Sequence, residues 1–527
     1  MANNVFGELF PYGVADSSAP PAAPDVQDSP NAPFGSHHEA TGQGVHPSGM
    51  EPKDYVRFLE EGRFSEQGKS ASSPVCPLDP EHPVGIAGAG LMGCSIAASF
   101  LRKSLPVLLY DSLEGARAAA PERIEEELAR QIGGNGPDSA EPTAEARKTA
   151  ARLMKHLQVA ETPGELVRCG AILETIVEKT KHKQKFYQSL EAVLEANGSD
   201  ELHRLLLTNT STIRITELAK GLRPDGKLDP ARFCGFHFFH PVRKRSLVEI
   251  IRGARTNSAT VAAAEVLVRA IDKSPIVVAD GPGFLVNRIL NPYLEEAMVL
   301  LLEGVPMDRI ESVCRRFGME MGPFRIMDEI GLDVVFHSGW TFFKAFPEYI
   351  RSGELLPAMI EAGRLGRKNG RGFRNYEKTG SWSDAGKNTS EVDSIVKRIA
   401  EATGLRAGGN TVNSGNTVNG AMCGPKAPDE VVAARIFLSI LTESARATEA
   451  GIVQKIEDAD RALCFGLGFP KSRGGIAFWA DCAGLPKILE ACALLKGLNP
   501  KFEAPALIRE TTGNGTLVLN QNGVDRV

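Results

Sequence analysis

The chain is poor in the patterns that mark several large protein classes. Its nine cysteines are scattered singly and none forms a Cys-x-x-Cys pair. That argues against a zinc ribbon or a disulfide framework and implies reduced thiols in a cytosol-like compartment. The ten histidines include no His-Glu-x-x-His pair, so no metal site is expected. Net charge is −5, with no basic block for nucleic acid. No uninterrupted apolar stretch is long enough to span a bilayer. The first residues lack a basic segment followed by an apolar core, so no secretory signal is expected. What remains is an ordinary globular composition, 42% apolar and 24% charged, over 527 residues.

The most informative stretch is VGIAGAGLMGCSIAASFLRKSLPVLLYD, residues 84–111. An apolar run suited to a buried parallel strand leads into Gly88, Gly90 and Gly93 at Gly-x-Gly-x-x-Gly spacing. An apolar helical segment follows, then a second strand ending in Asp111. Gly88 permits a tight turn, Gly90 lets a pyrophosphate approach the backbone, and Gly93 lets helix and strand pack closely. The helix start offers unpaired N–H groups to the phosphates. Asp111 lies 18 residues past Gly93, near the distance expected for an acid that bonds a ribose. A carboxylate there favours NAD over NADP.

Seven prolines fall in the first fifty residues, and residues 1–81 read as a mostly disordered tail. Within it, DYVRFLEEGRF suggests a short helix at 54–62 through Tyr55, Phe58 and Leu59. From 82 to 280, apolar runs at 171–173, 205–207, 247–251 and 276–278 alternate with helical patterns, an α/β and largely parallel arrangement. Beyond Pro282-Gly283 the chain turns to long amphipathic helices. There NRILNPYLEEAMVLLLEGV (287–305) resembles ARIFLSILTESARATEAGI (434–452), 147 positions later. Arg288 matches Arg435 and Glu296 matches Glu443, which suggests a duplicated helical domain. The polar NTVNSGNTVNG lies between the copies, and 379–428 reads as a flexible linker.

Three further segments can carry chemistry, and each admits a structural alternative. In TNTSTIRITELA (208–219), Ser211 stands where parallel sheets bind ligands, or caps a helix. In RFCGFHFFHPVRKRSLVEIIRG (232–253), Glu249 sits in an apolar run and needs a partner. His237 is one candidate, giving a general base with its orienting acid. A structural bridge to Arg243, Lys244 or Arg245 is the other. In DGPGFLVNRILNPYLEEA (280–297), the Asn287 amide faces either a substrate oxygen or neighbouring backbone.

In this order, and together with GAGLMG, MGPFRIMDEIGLD and GRLGRKNGRGF, these motifs resemble the 3-hydroxyacyl-CoA dehydrogenase family. They are most similar to the dehydrogenase portion of the multifunctional fatty-acid oxidation complex alpha subunits. The resemblance covers about 82–378, with a weaker continuation over 430–520. It implies an α/β Rossmann-like dinucleotide-binding domain (82–280) followed by two tandem all-α domains of the family's C-terminal type. The first would span 281–378 and the second, degenerate one 429–527. It implies NAD-dependent oxidation of a (3S)-3-hydroxyacyl-CoA to a 3-ketoacyl-CoA, or the reverse; the scattered cysteines add the expectation of a cytoplasmic location. His237 would be the catalytic base and Glu249 its partner. Ser211 would bond the substrate hydroxyl near the nicotinamide, and Asn287 would hold the thioester's reacting end. Glu178, Lys183 and Lys368 match cofactor-contacting positions, and Asp111 matches the ribose acid. One departure is His240, where the family carries an asparagine that meets the cofactor.

Relatives carry an enoyl-CoA hydratase region ahead of the dehydrogenase. The roughly 80 residues here are too few for one, so no hydratase activity is expected. Ala434 replaces the Asn287 equivalent in the second copy, which is expected to be inactive. A fused second copy suggests a monomer, or a subunit beside hydratase or thiolase partners, rather than a homodimer. The competing readings are a related NAD-dependent hydroxyacid dehydrogenase and a non-catalytic dinucleotide-binding scaffold.

Overall fold

The computed structural model describes residues 2–11, 46–61, 82–133, 141–196, 204–223, 226–376, 390–405, 422–511 and 515–519. The polar repeat between the helical copies and the loop after Gly133 lie outside them. The chain divides into a sheet unit that ends at Phe284 and a helical unit from Leu285 onward, to which the N-terminal helix Ala2–Leu9 also belongs.

The sheet unit is built on eight strands: β1 Val84–Ala87, β2 Val107–Tyr110, β3 Leu157–Val159, β4 Ala171–Glu174, β5 Leu205–Thr208, β6 Phe233–Phe238, β7 Leu247–Arg252 and β8 Ser274–Ala279. Their spatial order is β3-β2-β1-β4-β5-β6-β7-β8. The six strands from β3 to β6 run parallel, β7 pairs antiparallel with β6, and β8 is parallel to β7. Every residue of β1, β4 and β5 is buried, as expected for strands covered on both faces. The order reverses beside β1, and ligands of open parallel sheets bind in the crevice at that point.

The helical unit centres on two packed helices, Val286–Leu302 and Asp429–Glu449, buried almost all round. The tail reading of residues 1–81 needs correction where the chain is described. Ala2–Leu9 is a helix whose Val5, Phe6 and Leu9 are buried, and Phe10 beyond it packs on Phe317, Phe437 and Trp479. The helix expected at 54–62 spans Pro52–Glu61, with Tyr55 stacked 4.4 Å from Phe478. The linker reading of 379–428 needs the same correction. Ser390–Ala402 is a helix that buries Val392, Ile395 and Ile399, an apolar stripe strong enough to order it.

No helix among the described residues is long and apolar enough to cross a membrane.

Candidate active site

Strand alternation and register assemble the site. In β6, Phe236 and Phe238 share one face of the sheet and His237 points to the other. The antiparallel register sets His237 opposite Glu249 on β7. His237 Nδ1 lies 2.7 Å from Glu249 Oε2, and both side chains are buried. An ionised carboxylate only accepts, so the hydrogen sits on Nδ1. That leaves the Nε2 lone pair facing Ser211 Oγ at 3.1 Å. Phe239 and Phe284 stand edge-on to the imidazole at 4.6 and 5.9 Å and limit its rotation.

Ser211 is placed by an acid. Glu178 Oε1 accepts from the Thr210 hydroxyl at 2.6 Å and from the backbone N–H groups of Ser211 and Thr212 at 2.9 and 3.0 Å. Burial opposes ionisation of Glu178. Lys183 and these donors outweigh burial and hold the carboxyl below its usual range. Lys183 is itself 1% exposed, and its Nζ lies 2.7 Å from Glu174 and 3.2 Å from Glu178. Glu174 differs: burial dominates there, and its carboxyl is raised despite Lys183. In this structure Glu178 and Lys183 therefore anchor the turn that carries Ser211. Asn209, not singled out in the sequence, accepts from Phe238 N–H at 2.9 Å and ties that turn to β6. Its signal was the polar cluster that follows an all-apolar strand.

The three glycines of the turn have different surroundings. Gly88 has φ +115°, and a Cβ there would come within 2.6 Å of Thr175 Oγ1. A Cβ on Gly93 would sit 1.8 Å from the Gly88 carbonyl oxygen, so packing requires the glycine. A Cβ on Gly90 would meet nothing within 4 Å. The protein does not fill that space, which leaves room for a ligand to approach the backbone. The Leu91–Leu101 helix begins there without a side-chain cap, leaving N–H groups for an anion. Asp111, at the end of β2, accepts from Ala89 N–H at 2.7 Å and Leu113 N–H at 2.9 Å. These residues fit a dinucleotide.

His240 is exposed just beyond β6. Asn287 and Lys368 belong to the helical unit. Asn287 is half-buried in the first turn of Val286–Leu302, and its carbonyl accepts from Asn291 Nδ2 at 2.8 Å. Lys368 is paired with Asp333.

Residues 83–281 match the family model described as 3-hydroxyacyl-CoA dehydrogenase, NAD binding domain, and 283–376 match 3-hydroxyacyl-CoA dehydrogenase, C-terminal domain. The chain belongs to the 3-hydroxyacyl-CoA dehydrogenase family. Its cofactor class is NAD, and its enzyme class is the NAD-dependent oxidoreductases. A fatty acid oxidation complex subunit alpha of Pseudomonas entomophila (strain L48) is 32% identical over 441 residues, 82% of this chain and 56% of that protein. The chain thus spans little more than half the length of this curated relative. Two solved structures share the fold. A 3-hydroxybutyryl-CoA dehydrogenase from Escherichia coli K12 has a TM-score of 0.63 at 23% identity, covering 82% of this chain and 98% of its own. The dehydrogenase part of a multifunctional enzyme from C. elegans has a TM-score of 0.55 at 20% identity, covering 89% and 97%. The family model of the helical domain covers the first of the two similar segments, 287–305.

Proposed function

We propose that the chain interconverts (3S)-3-hydroxyacyl-CoA and 3-ketoacyl-CoA, using NAD, with His237 and Glu249 as the acid–base pair. One observation carries the reading: Glu249, His237 and Ser211 form a continuous hydrogen-bonded line at 2.7 and 3.1 Å. Bound NAD supplies the hydride acceptor. The Ser211 hydroxyl orients the substrate hydroxyl. His237 Nε2 takes its proton as the C3–H bond breaks, and Glu249 stabilises the imidazolium that results. In the reverse direction His237 returns the proton. Glu178 and Lys183 keep the Ser211 turn in place. The turn shaped by Gly88 and Gly93 would bring a pyrophosphate against Gly90, Asp111 would bond the ribose, and His240 and Lys368 would add contacts to the cofactor. Asn287 holds the thioester's reacting end.

The second helical copy has no chemistry of its own in this reading, because Ala434 stands in place of the asparagine. It covers the apolar face of the first copy, which favours a monomer or a complex with hydratase or thiolase proteins over a homodimer. Loss of NADH absorbance with acetoacetyl-CoA tests the activity, with NADPH as the control for Asp111. A purified chain that binds NADH and never oxidises it would leave only a binding protein.

A further inference from the structure

We propose that Phe336, Trp340 and Phe343 seat the acyl chain of the thioester and give the enzyme a preference for long chains. This deepens the proposed function and rests on it. The three residues stand at helical spacing on Leu332–Ala345 and so share a face. Trp340 is 45% exposed, and Phe336 and Phe343 are half-buried. Phe336 lies 6.0 Å from Trp340 between ring centroids, and Phe343 stacks on Trp340 at 5.3 Å. The strip is apolar and aromatic, bordered by exposed His337 and by Lys344, whose Nζ lies 5.5 Å above the Trp340 ring. A row of partly exposed rings suits an alkyl chain.

Its position in the helical unit ties it to the substrate. Gly339 falls on the same face, between Phe336 and Phe343. A Cβ there would lie 3.8 Å from Asn291 Oδ1, and Asn291 donates to the Asn287 carbonyl. The aromatic strip therefore borders the turn that presents Asn287. The start of the same helix carries Asp333, the partner of Lys368. The helix thus runs from Lys368, past Asn287, to the rings.

The chain contains its own control. The matching helix of the second copy, Leu485–Leu495, follows Gly484 at φ 95° and ψ 114°, close to the 97° and 128° of Gly331. In register with Val334, Phe336, Trp340 and Phe343 it carries Lys487, Leu489, Ala493 and Lys496. Lys487 pairs with Glu8 at 2.9 Å. The copy that lacks the asparagine also lacks the aromatic strip. Structural need alone would have kept or lost the two features independently.

Each methylene laid on an apolar face is worth roughly a factor of four in binding. The test is the ratio of kcat/KM for 3-ketododecanoyl-CoA to that for acetoacetyl-CoA, on the full chain with saturating NADH. Wild type should show a ratio well above one. Trp340→Ala should lower the ratio about tenfold, mostly through KM for the long substrate, and Trp340→Phe should restore most of it. An unchanged ratio in Trp340→Ala overturns the proposal. A second readout does not depend on turnover. Tryptophan fluorescence of wild type, less that of Trp340→Phe, should change on adding dodecanoyl-CoA and not acetyl-CoA. A wild type that turns over neither ketoacyl-CoA defeats the reaction, while this titration still decides whether the strip holds the chain. Equal responses to both thioesters overturn the acyl seat.

Discussion

Arg435 reaches from its helix to Glu296 at 2.5 Å, and Arg288, its counterpart 147 residues earlier, reaches back to Glu443 at 2.6 Å. Each arginine thus grips the glutamate that the opposite copy carries eight positions after its own arginine. The exchange is reciprocal, as in the interface of a twofold dimer, but it lies within one chain. Other devices recur. Glu311 accepts from Phe324 N–H at the start of Pro323–Ile330, and Asp460 accepts from Ala477 N–H at the start of Ile476–Ala483. Gly322 and Gly475 precede those starts. A Cβ on either would come within 2.2 Å of the acid it faces.

The two arginines should differ in cost. Arg435 is fully buried and also bonds Glu303 at 2.6 and 3.0 Å, so its removal leaves Glu303 without its cation, while Glu296 keeps Lys501. Arg288 serves Glu443 and rests 5.0 Å above the Phe346 ring. Arg435→Met should destabilise by about 3–5 kcal/mol, and Arg288→Met by less. Urea denaturation of the two variants measures the order; an equal loss would mean that Glu303 adds nothing.

At the active site, His237→Gln cannot carry a proton and should lose two to four orders of magnitude in kcat, with NADH binding nearly intact. Glu249→Gln removes the charge that stabilises the imidazolium and should lose at least tenfold. Stopped-flow turnover and NADH fluorescence titration separate chemistry from binding. Near-normal kcat in His237→Gln would remove this pair from the mechanism.

Glu178 acts through Ser211, which gives its variant a distinct signature. Its carboxyl is held below 4.5, so the ionised form contributes above that pH and is lost as pH falls through the lowered value. Activity dependent on the Ser211 turn should therefore be flat above about pH 5 on this account. Glu178→Gln keeps one acceptor and loses the charge that draws Lys183 and four donors together, the Thr212 hydroxyl at 3.1 Å being the fourth. We expect kcat to fall roughly tenfold, with a larger effect on kcat than on KM for NADH. A change confined to thermal stability would reduce Glu178 to a scaffold residue.

Much of the sheet unit was legible because its signals are local. The glycine spacing needs only a strand, a turn and a helix in succession. His237 and Glu249 meet because twelve residues close an antiparallel pair, and an acid inside Leu-Val-Glu-Ile-Ile demands a partner. The same reasoning could not choose between His237 and the nearby arginines, since the choice depends on register. The Ala2–Leu9 helix escaped notice because its apolar face is short and the partners of Phe10 just beyond it, Phe317, Phe437 and Trp479, lie hundreds of residues away. The repeat equated Arg288 with Arg435, yet only tertiary packing crosses their partners. Lys183, matched to a cofactor contact, was a plain lysine in a charged helix until the structure buried it against two glutamates.

The N-terminal helix Pro52–Glu61 carries the last prediction, through a carboxyl in the second copy. Tyr55 donates to Asp460 Oδ2 at 3.2 Å, beside the Ala477 and Phe478 N–H groups. Burial pushes the Asp460 carboxyl up from 3.8 to about 7, against the pull of those donors, and nearby Glu457 adds to the rise. A folded-state value above the unfolded one means that the stabilising form is protonated. Its contribution is complete below about pH 4 and is lost as pH climbs to about 7. Asp328, raised to about 6 in the first copy, has the same sign, so the wild-type slope mixes both. Asp460→Asn isolates one. It keeps an acceptor for Ala477, removes the ionisation and should flatten the decline, leaving the variant a few degrees closer to wild type in Tm at pH 7.5 than at pH 5. Tyr55→Phe should lower Tm most at pH 7.5, where the phenol faces a carboxylate. Parallel Tm–pH curves for wild type and Asp460→Asn would show that this acid does not titrate between folded and unfolded chains in that window.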